Sequence, residues 1–194
     1  MAFSSIQYVL FFTLLLTLMK VVKSEETKKW ILLGMSYLFY GFWDVRFVLL
    51  LAGMSVGNYY FGQRIHLAED PKQRKRWVML GVTANLSVLG FFKYFNFFLA
   101  SLSSLLGGKE LGHLHIILPV AISFITFEVI SYIVDIYRGT SEPAKDFREV
   151  ALLVAFFPHL IAGPILRPKQ FFPELRHPIV VTGENLLRGG QFFL

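Results

Sequence analysis

Five stretches of this chain carry no charged side chain: residues 1–19, 30–43, 47–63, 77–92 and 150–166. Runs of this kind leave few folds open. A helix that crosses a bilayer needs about 20 mostly apolar residues, with a range of about 17–25. Composition points the same way, with 55% hydrophobic and 16% charged residues, against about 25% charged in soluble domains. The expectation is an all-α, polytopic transmembrane protein with about six membrane segments and no soluble core.

The first segment covers about 2–19. It lacks a basic leader, since the first lysine is Lys20, and it lacks a small-x-small cleavage site, so it reads as a retained helix. A charged loop, 20–29, precedes a second segment from Trp30 to a turn at 41–44. The third runs over 45–62 and the next loop over 63–76. Residues 77–108 hold one charge, Lys93. That is too long for one upright span, so a helix to about Phe92 and then a bend or interfacial piece over 94–106 are predicted. A hydrophilic loop spans 107–115. The fifth segment opens at Pro119, a good first-turn residue, and ends near Arg138 and Gly139; the sixth covers 147–157. Trp30, Trp43, Tyr59 and Tyr60 fall near segment ends, where amphipathic rings favour the interface.

Helix regularity then fails. Five of the eight prolines lie between Pro158 and Pro178, and proline removes a backbone donor and clashes with the preceding turn. Broken backbone at membrane depth is tolerated only when buried in protein or lining a watery cavity. Residues 158–178 are therefore either a re-entrant element or a surface loop. A helix start at 183–185 meets no stop signal before Leu194, so the domain, here 1–194, is expected to continue past residue 194.

The net charge is +6, and the basic residues sit in short loops beside apolar runs. With the N-terminus outside, the inner loops 20–29 and 63–76 and the turn after Tyr137 hold twelve Lys and Arg, and the outer pieces hold two, Arg46 and Lys109. This is the positive-inside pattern. It implies a multi-pass protein of the cell inner (plasma) membrane with its N-terminus outside, and a lipid rather than a nucleic-acid partner. There is no cysteine, which excludes disulfides, thiolate nucleophiles and cysteine metal sites.

Gly53-Met54-Ser55-Val56-Gly57 matches the nucleophile-elbow pattern, but that motif needs a strand–turn–helix setting. Inside an uncharged helical run the same residues read better as small-xxx-small packing through Gly53 and Gly57. His113 and His115 lack a third ligand, and His66 sits in a charged loop; no metal and no cofactor is expected. Glu128, Ser131, Tyr132 and Asp135 share one helical face. Acidic groups inside a membrane segment usually face a cavity or a partner. Asp135 can pair with Arg138 at i+3, as an interfacial anchor or a channel wall. Alternatively, Arg138 faces the cytoplasmic mouth and contacts an anionic ligand there. His159 is a proton shuttle or ligand, or it satisfies a carbonyl freed by the prolines; the residues favour the second.

Two stretches carry a resemblance. One is LPVAISFITF (118–127) with Ile130-Ser131-Tyr132 and Asp135-Ile136-Tyr137-Arg138-Gly139. The other is FFPHLIAGPI (156–165) with Arg167, Phe171 and Pro173-Glu174-Leu175. With FFKYFNFF (91–98), they resemble the membrane-bound O-acyltransferase family, in its bacterial alginate O-acetyltransferase branch. The sequence departs from the pattern at Ala121, where glycine is usual, at Glu128, where glutamine is usual, and at His159, often glutamine. The resemblance implies transfer of an acyl group, acetyl above all, from a cytoplasmic donor to an acceptor hydroxyl outside. A histidine acts as general base in a protein-enclosed channel. It further implies an exopolysaccharide acceptor such as alginate, or an extracytoplasmic transferase partner. The family's catalytic histidine is expected beyond residue 194, so the 194 residues alone are expected to be inactive. Glu128, Tyr132, Asp135, Arg138, His159, Pro164 and Arg167 are the candidate channel or motif residues. The competing readings are a transporter or channel, motivated by the broken segment and Glu128, and a non-catalytic assembly subunit.

Overall fold

A computed structural model describes residues 6–105, 115–160 and 166–185. Among them every regular element is helical and no strand occurs. The order is α1 (Ile6–Val21), α2 (Glu25–Asp44), α3 (Arg46–Leu67), α4 (Pro71–Leu89), a π-helical turn (Gly90–Tyr94), α5 (Phe95–Leu105), α6 (Ile122–Arg138), α7 (Phe147–Ala155), α8 (Phe157–Leu160) and α9 (Pro168–Arg176).

The charged loops expected at 20–29 and 63–76 are shorter than their hydropathy suggests. The Thr27 backbone N–H donates to Ser24 Oγ, which starts α2 five residues before Trp30. The Lys72 backbone N–H donates to Asp70, and Pro71 occupies the first turn of α4. Such caps satisfy amides that have no partner inside the helix. Helices α2, α3 and α4 thus run past the apolar stretch into charged turns.

The bend expected after Phe92 is a π turn, which inserts a wider turn without ending the helix. Pro71–Leu105 is consequently one continuous helix of 35 residues, with a mean hydropathy of 1.4 over its most apolar 18-residue stretch. Among the described residues it is the one helix both long and apolar enough to cross a membrane; Ile6–Val21 is apolar but shorter.

Small residues fix two close approaches. A Cβ on Gly62 would stand 2.4 Å from Tyr132 Oη, and one on Gly81 would stand 2.7 Å from Ile133 Cδ1. These glycines let α3 and α4 meet α6. Gly53 and Gly57 do not play that part, because a Cβ at either meets nothing within 4 Å. Ser55 is buried within α3, donates to the Leu51 carbonyl and bonds Tyr37 Oη, so it is a helix-satisfied hydroxyl and no elbow nucleophile. Asn58 and Asn85 form a reciprocal amide pair at 3.0 and 2.8 Å between α3 and α4, each also donating to its own helix. A buried amide pair with these donors used is a directional lock between two apolar helices.

Helix α7 is the most enclosed element, with residues 150–155 all at 0% exposure. The chain runs inward along α7 to α8, then returns along α9. Arg176 Nε, in the last turn of α9, donates at 2.7 Å to Glu149 Oε1, in the first turn of α7. Both ends of this hairpin therefore lie at one end of the helix bundle. Burial of the inward limb excludes a surface loop for the start of the proline-rich stretch.

Candidate functional site

The hairpin is pinned at its base by charge. Arg148 pairs with Glu26 and with Asp146 and lies 5.6 Å from the Trp30 ring centroid. Lys28 Nζ donates to Glu25 and to the Ile179 carbonyl, while the Ile179 N–H donates to the other Glu25 oxygen. Gln63 Nε2 donates to the Ala144 carbonyl at 2.7 Å. These contacts gather the basic ends of α2, α3, α7 and α9 on one face. Burial works against the Asp146 charge, but the Arg148 guanidinium outweighs it and holds that carboxyl below its usual range. Pairing with Glu149 raises Arg176.

The far end of the hairpin holds the second polar group. His159 Nε2 in α8 lies 3.2 Å from Glu128 Oε2 in α6, with side-chain exposures of 5% and 0%. The Phe124 and Phe156 rings flank the imidazole at 5.9 and 5.7 Å. Glu128 Oε1 and His159 Nδ1 are buried without a hydrogen-bond partner among the described residues. With Glu128 ionised, the proton must sit on His159 Nε2. The pair can hold a shared proton out of water, or orient a base whose Nδ1 remains available.

His159 therefore satisfies a carboxylate rather than a freed carbonyl, which corrects the reading favoured from sequence. Glu128 and Tyr132 do share a buried face of α6. Tyr132 Oη accepts the Ala144 N–H at 3.2 Å, and its ring packs edge-on against Phe172 of α9. Thus α6 touches the hairpin twice, through Tyr132 near the base and Glu128 near the tip.

The expected Asp135–Arg138 pair does not form. Asp135 is half-buried and Arg138 is exposed, with no carboxylate at ion-pair distance from Arg138 among the described residues. The helix stops at Gly139, whose left-handed φ of 72° lets the Thr140 and Ser141 N–H groups return to the Asp135 carbonyl. Arg138 extends outward instead. Arg167 is exposed at the start of α9, and His66 and His115 are exposed. Pro164 and His113 lie outside the described residues. No group of three His, Cys, Asp or Glu suited to a metal occurs among the described residues. A cavity of about 210 Å³ opens on the charged face between Ser141, Lys169, Phe172 and Arg176, with Phe172 separating it from Tyr132.

Sequence reasoning missed the Asn58–Asn85 pair and the Arg176–Glu149 bridge. The first had a signal, an amide in each of two uncharged runs. The second joins residues 27 apart and had none.

Among known proteins, the chain is 42% identical over 181 residues to the probable alginate O-acetylase of Pseudomonas aeruginosa, covering 91% of the chain and 35% of the relative. It is 38% identical to that of Pseudomonas putida, covering 100% and 41%. It is 37% identical over 173 residues to the peptidoglycan O-acetyltransferase of Helicobacter pylori, covering 77% and 32%. The chain thus spans between 32% and 41% of the length of these relatives. No family model and no solved structure matches it.

Proposed function

Since the chain belongs to the membrane-bound O-acyltransferase family, in its alginate O-acetylase branch, we propose that it forms part of a multi-pass enzyme of the plasma (inner) membrane. That enzyme moves an acetyl group from a cytoplasmic donor to a hydroxyl of an extracytoplasmic polysaccharide. The observation that carries this reading is the 42% identity spread over 181 residues, rather than any one side chain. The names of the relatives, which cite alginate and peptidoglycan, suggest the acceptor class. In this reading residues 1–194 belong to one domain, the charged face is cytoplasmic and the N-terminus is outside.

Helices of 20 and 22 residues, α2 and α3, are about 30 Å long at 1.5 Å per residue, enough to span. Their charged end turns lower their hydropathy without shortening them. The hairpin α7–α9 is a re-entrant element entering from the cytoplasmic face. It forms a channel wall set by Tyr132 and by Glu128 with His159. Asp135 and Arg138 mark the cytoplasmic end of α6, and Arg167 opens the returning limb near the tip of the hairpin.

In the transfer, the acceptor hydroxyl loses its proton to a general base as its oxygen bonds the acyl carbon, and the donor's leaving group departs with that proton. A histidine near its ordinary pKa suits the task, and an enclosed site prevents hydrolysis. The exposed His66, His115 and His177 lack such enclosure and His159 Nε2 is engaged by Glu128, so the base is supplied from outside the described residues. A second reading makes His159 the base, favoured by its free Nδ1 and its contact with Glu128.

The test places the gene carrying this sequence in a Pseudomonas aeruginosa strain lacking its probable alginate O-acetylase. Ester-linked acetyl on the secreted polymer should return. Acetyl at the null level, with the protein folded in the membrane, would count against the proposal. His159→Gln separates the two readings: it abolishes transfer at normal folded yield only if His159 is the base.

A further inference from the structure

A groove of about 360 Å³ runs between α4 and α6 on the outside of the bundle. Its walls are Val78, Met79, Val82, Thr83 and Val134, and its end carries Tyr137 and Arg138. Met79 is 57% exposed, so the walls face outward. The charges are confined to one end. Arg74 Nη2 donates to the Ile136 carbonyl, and its guanidinium lies 5.9 Å from the Tyr137 ring centroid. That places a second cation beside Arg138, with Arg74 Nε buried and unpartnered. Lys75 precedes Val78 and Met79 by three and four residues, so it shares their helix face. None of these three cations has a carboxylate at ion-pair distance among the described residues. Asp135 stands one turn before Arg138, and Asp70 is engaged by the Lys72 N–H.

A slot whose walls are apolar except for Thr83 and whose one end is cationic complements an acyl chain with an anionic headgroup. We propose that this groove is a binding site for an anionic phospholipid of the bilayer, its headgroup on Arg138, Arg74 and Lys75 and its acyl chain along Val78, Met79, Val82 and Val134. Cations at the cytoplasmic membrane surface are where acidic headgroups are met. The site rests on the membrane-spanning reading but not on acyl transfer, and its test has no catalytic readout.

The protein is purified in detergent, delipidated and titrated with phosphatidylglycerol or phosphatidylcholine, and bound lipid is counted by native mass spectrometry. Wild type should hold phosphatidylglycerol at least five-fold more tightly. The double change Lys75→Gln, Arg138→Gln should erase that preference, Val82→Trp should block binding by filling the groove, and Lys20→Gln should change nothing. Equal retention of the two lipids by wild type would overturn the site, as would a preference that survives the double change or Val82→Trp. If the double variant is not recovered folded, wild type and Val82→Trp decide. Glycerol phosphate that competes as well as the whole lipid would show an anion site without a lipid groove, and also overturns the proposal.

Discussion

Glu128 Oε2 and His159 Nε2 lie 3.2 Å apart and fasten the tip of the hairpin to the middle of α6. Removing one side leaves a buried polar group alone. Glu128→Ala should cost about 1–3 kcal/mol if the pair is neutral and about 3–5 kcal/mol if it is ionic. The double change Glu128→Gln, His159→Gln replaces the pair with two amides able to bond each other and should recover most of that. Folded yield after detergent extraction and the thermal midpoint report both. A wild-type midpoint for Glu128→Ala would remove the structural role.

Ala121 enters α6 at φ 58°, the one non-glycine residue at positive φ among those described. A left-handed residue with a Cβ costs about 1–2 kcal/mol. Ala121→Gly should therefore stabilise the protein by about 1 kcal/mol, seen as a higher thermal midpoint. A lower midpoint would mean that the added freedom of the unfolded glycine outweighs the strain relieved.

The two glycine pairs differ sharply. Gly62→Ala forces a Cβ into the Tyr132 ring and should cost about 1–3 kcal/mol through overpacking. Gly53→Ala meets open space and should be neutral or mildly stabilising, because alanine is the better helix former. Equal losses at the two sites would show that the α3–α6 approach is not where we place it.

Acid should loosen the base of the hairpin first. Asp146 is held below the usual carboxylate range in the folded state. Its contribution is fully present above the unfolded value of about 3.9 and is lost as pH falls through the lower folded value. Stability measured against pH should fall below about pH 4, and Asp146→Asn should flatten that slope. An unchanged slope would assign the acid sensitivity elsewhere.

Helical periodicity put Glu128 and Tyr132 on one face because a helix repeats every 3.6 residues. Nothing in that spacing reveals His159, brought 31 residues along the chain to Glu128 by the hairpin. The small residues of 53–57 suggested close packing, but composition does not say which face meets a neighbour; Gly62 and Gly81 do. The i+3 spacing of Asp135 and Arg138 suggested a pair. The termination at Gly139 took the Asp135 carbonyl, while Arg138 pointed out to the groove. Ala121 stood out from sequence as a departure from glycine, and its backbone angle supplies the physical reason.

In the topology we propose, α7–α9 dips into the membrane and returns to the charged, cytoplasmic face. The chain has no cysteine, so single cysteines can be placed at Gln73, Lys145, His177 and His115, all exposed, and labelled with an impermeant reagent from either side of the membrane. Positions 73, 145 and 177 should label from the cytoplasmic side and position 115 from the outside. Labelling of 145 and 177 from opposite sides would contradict it.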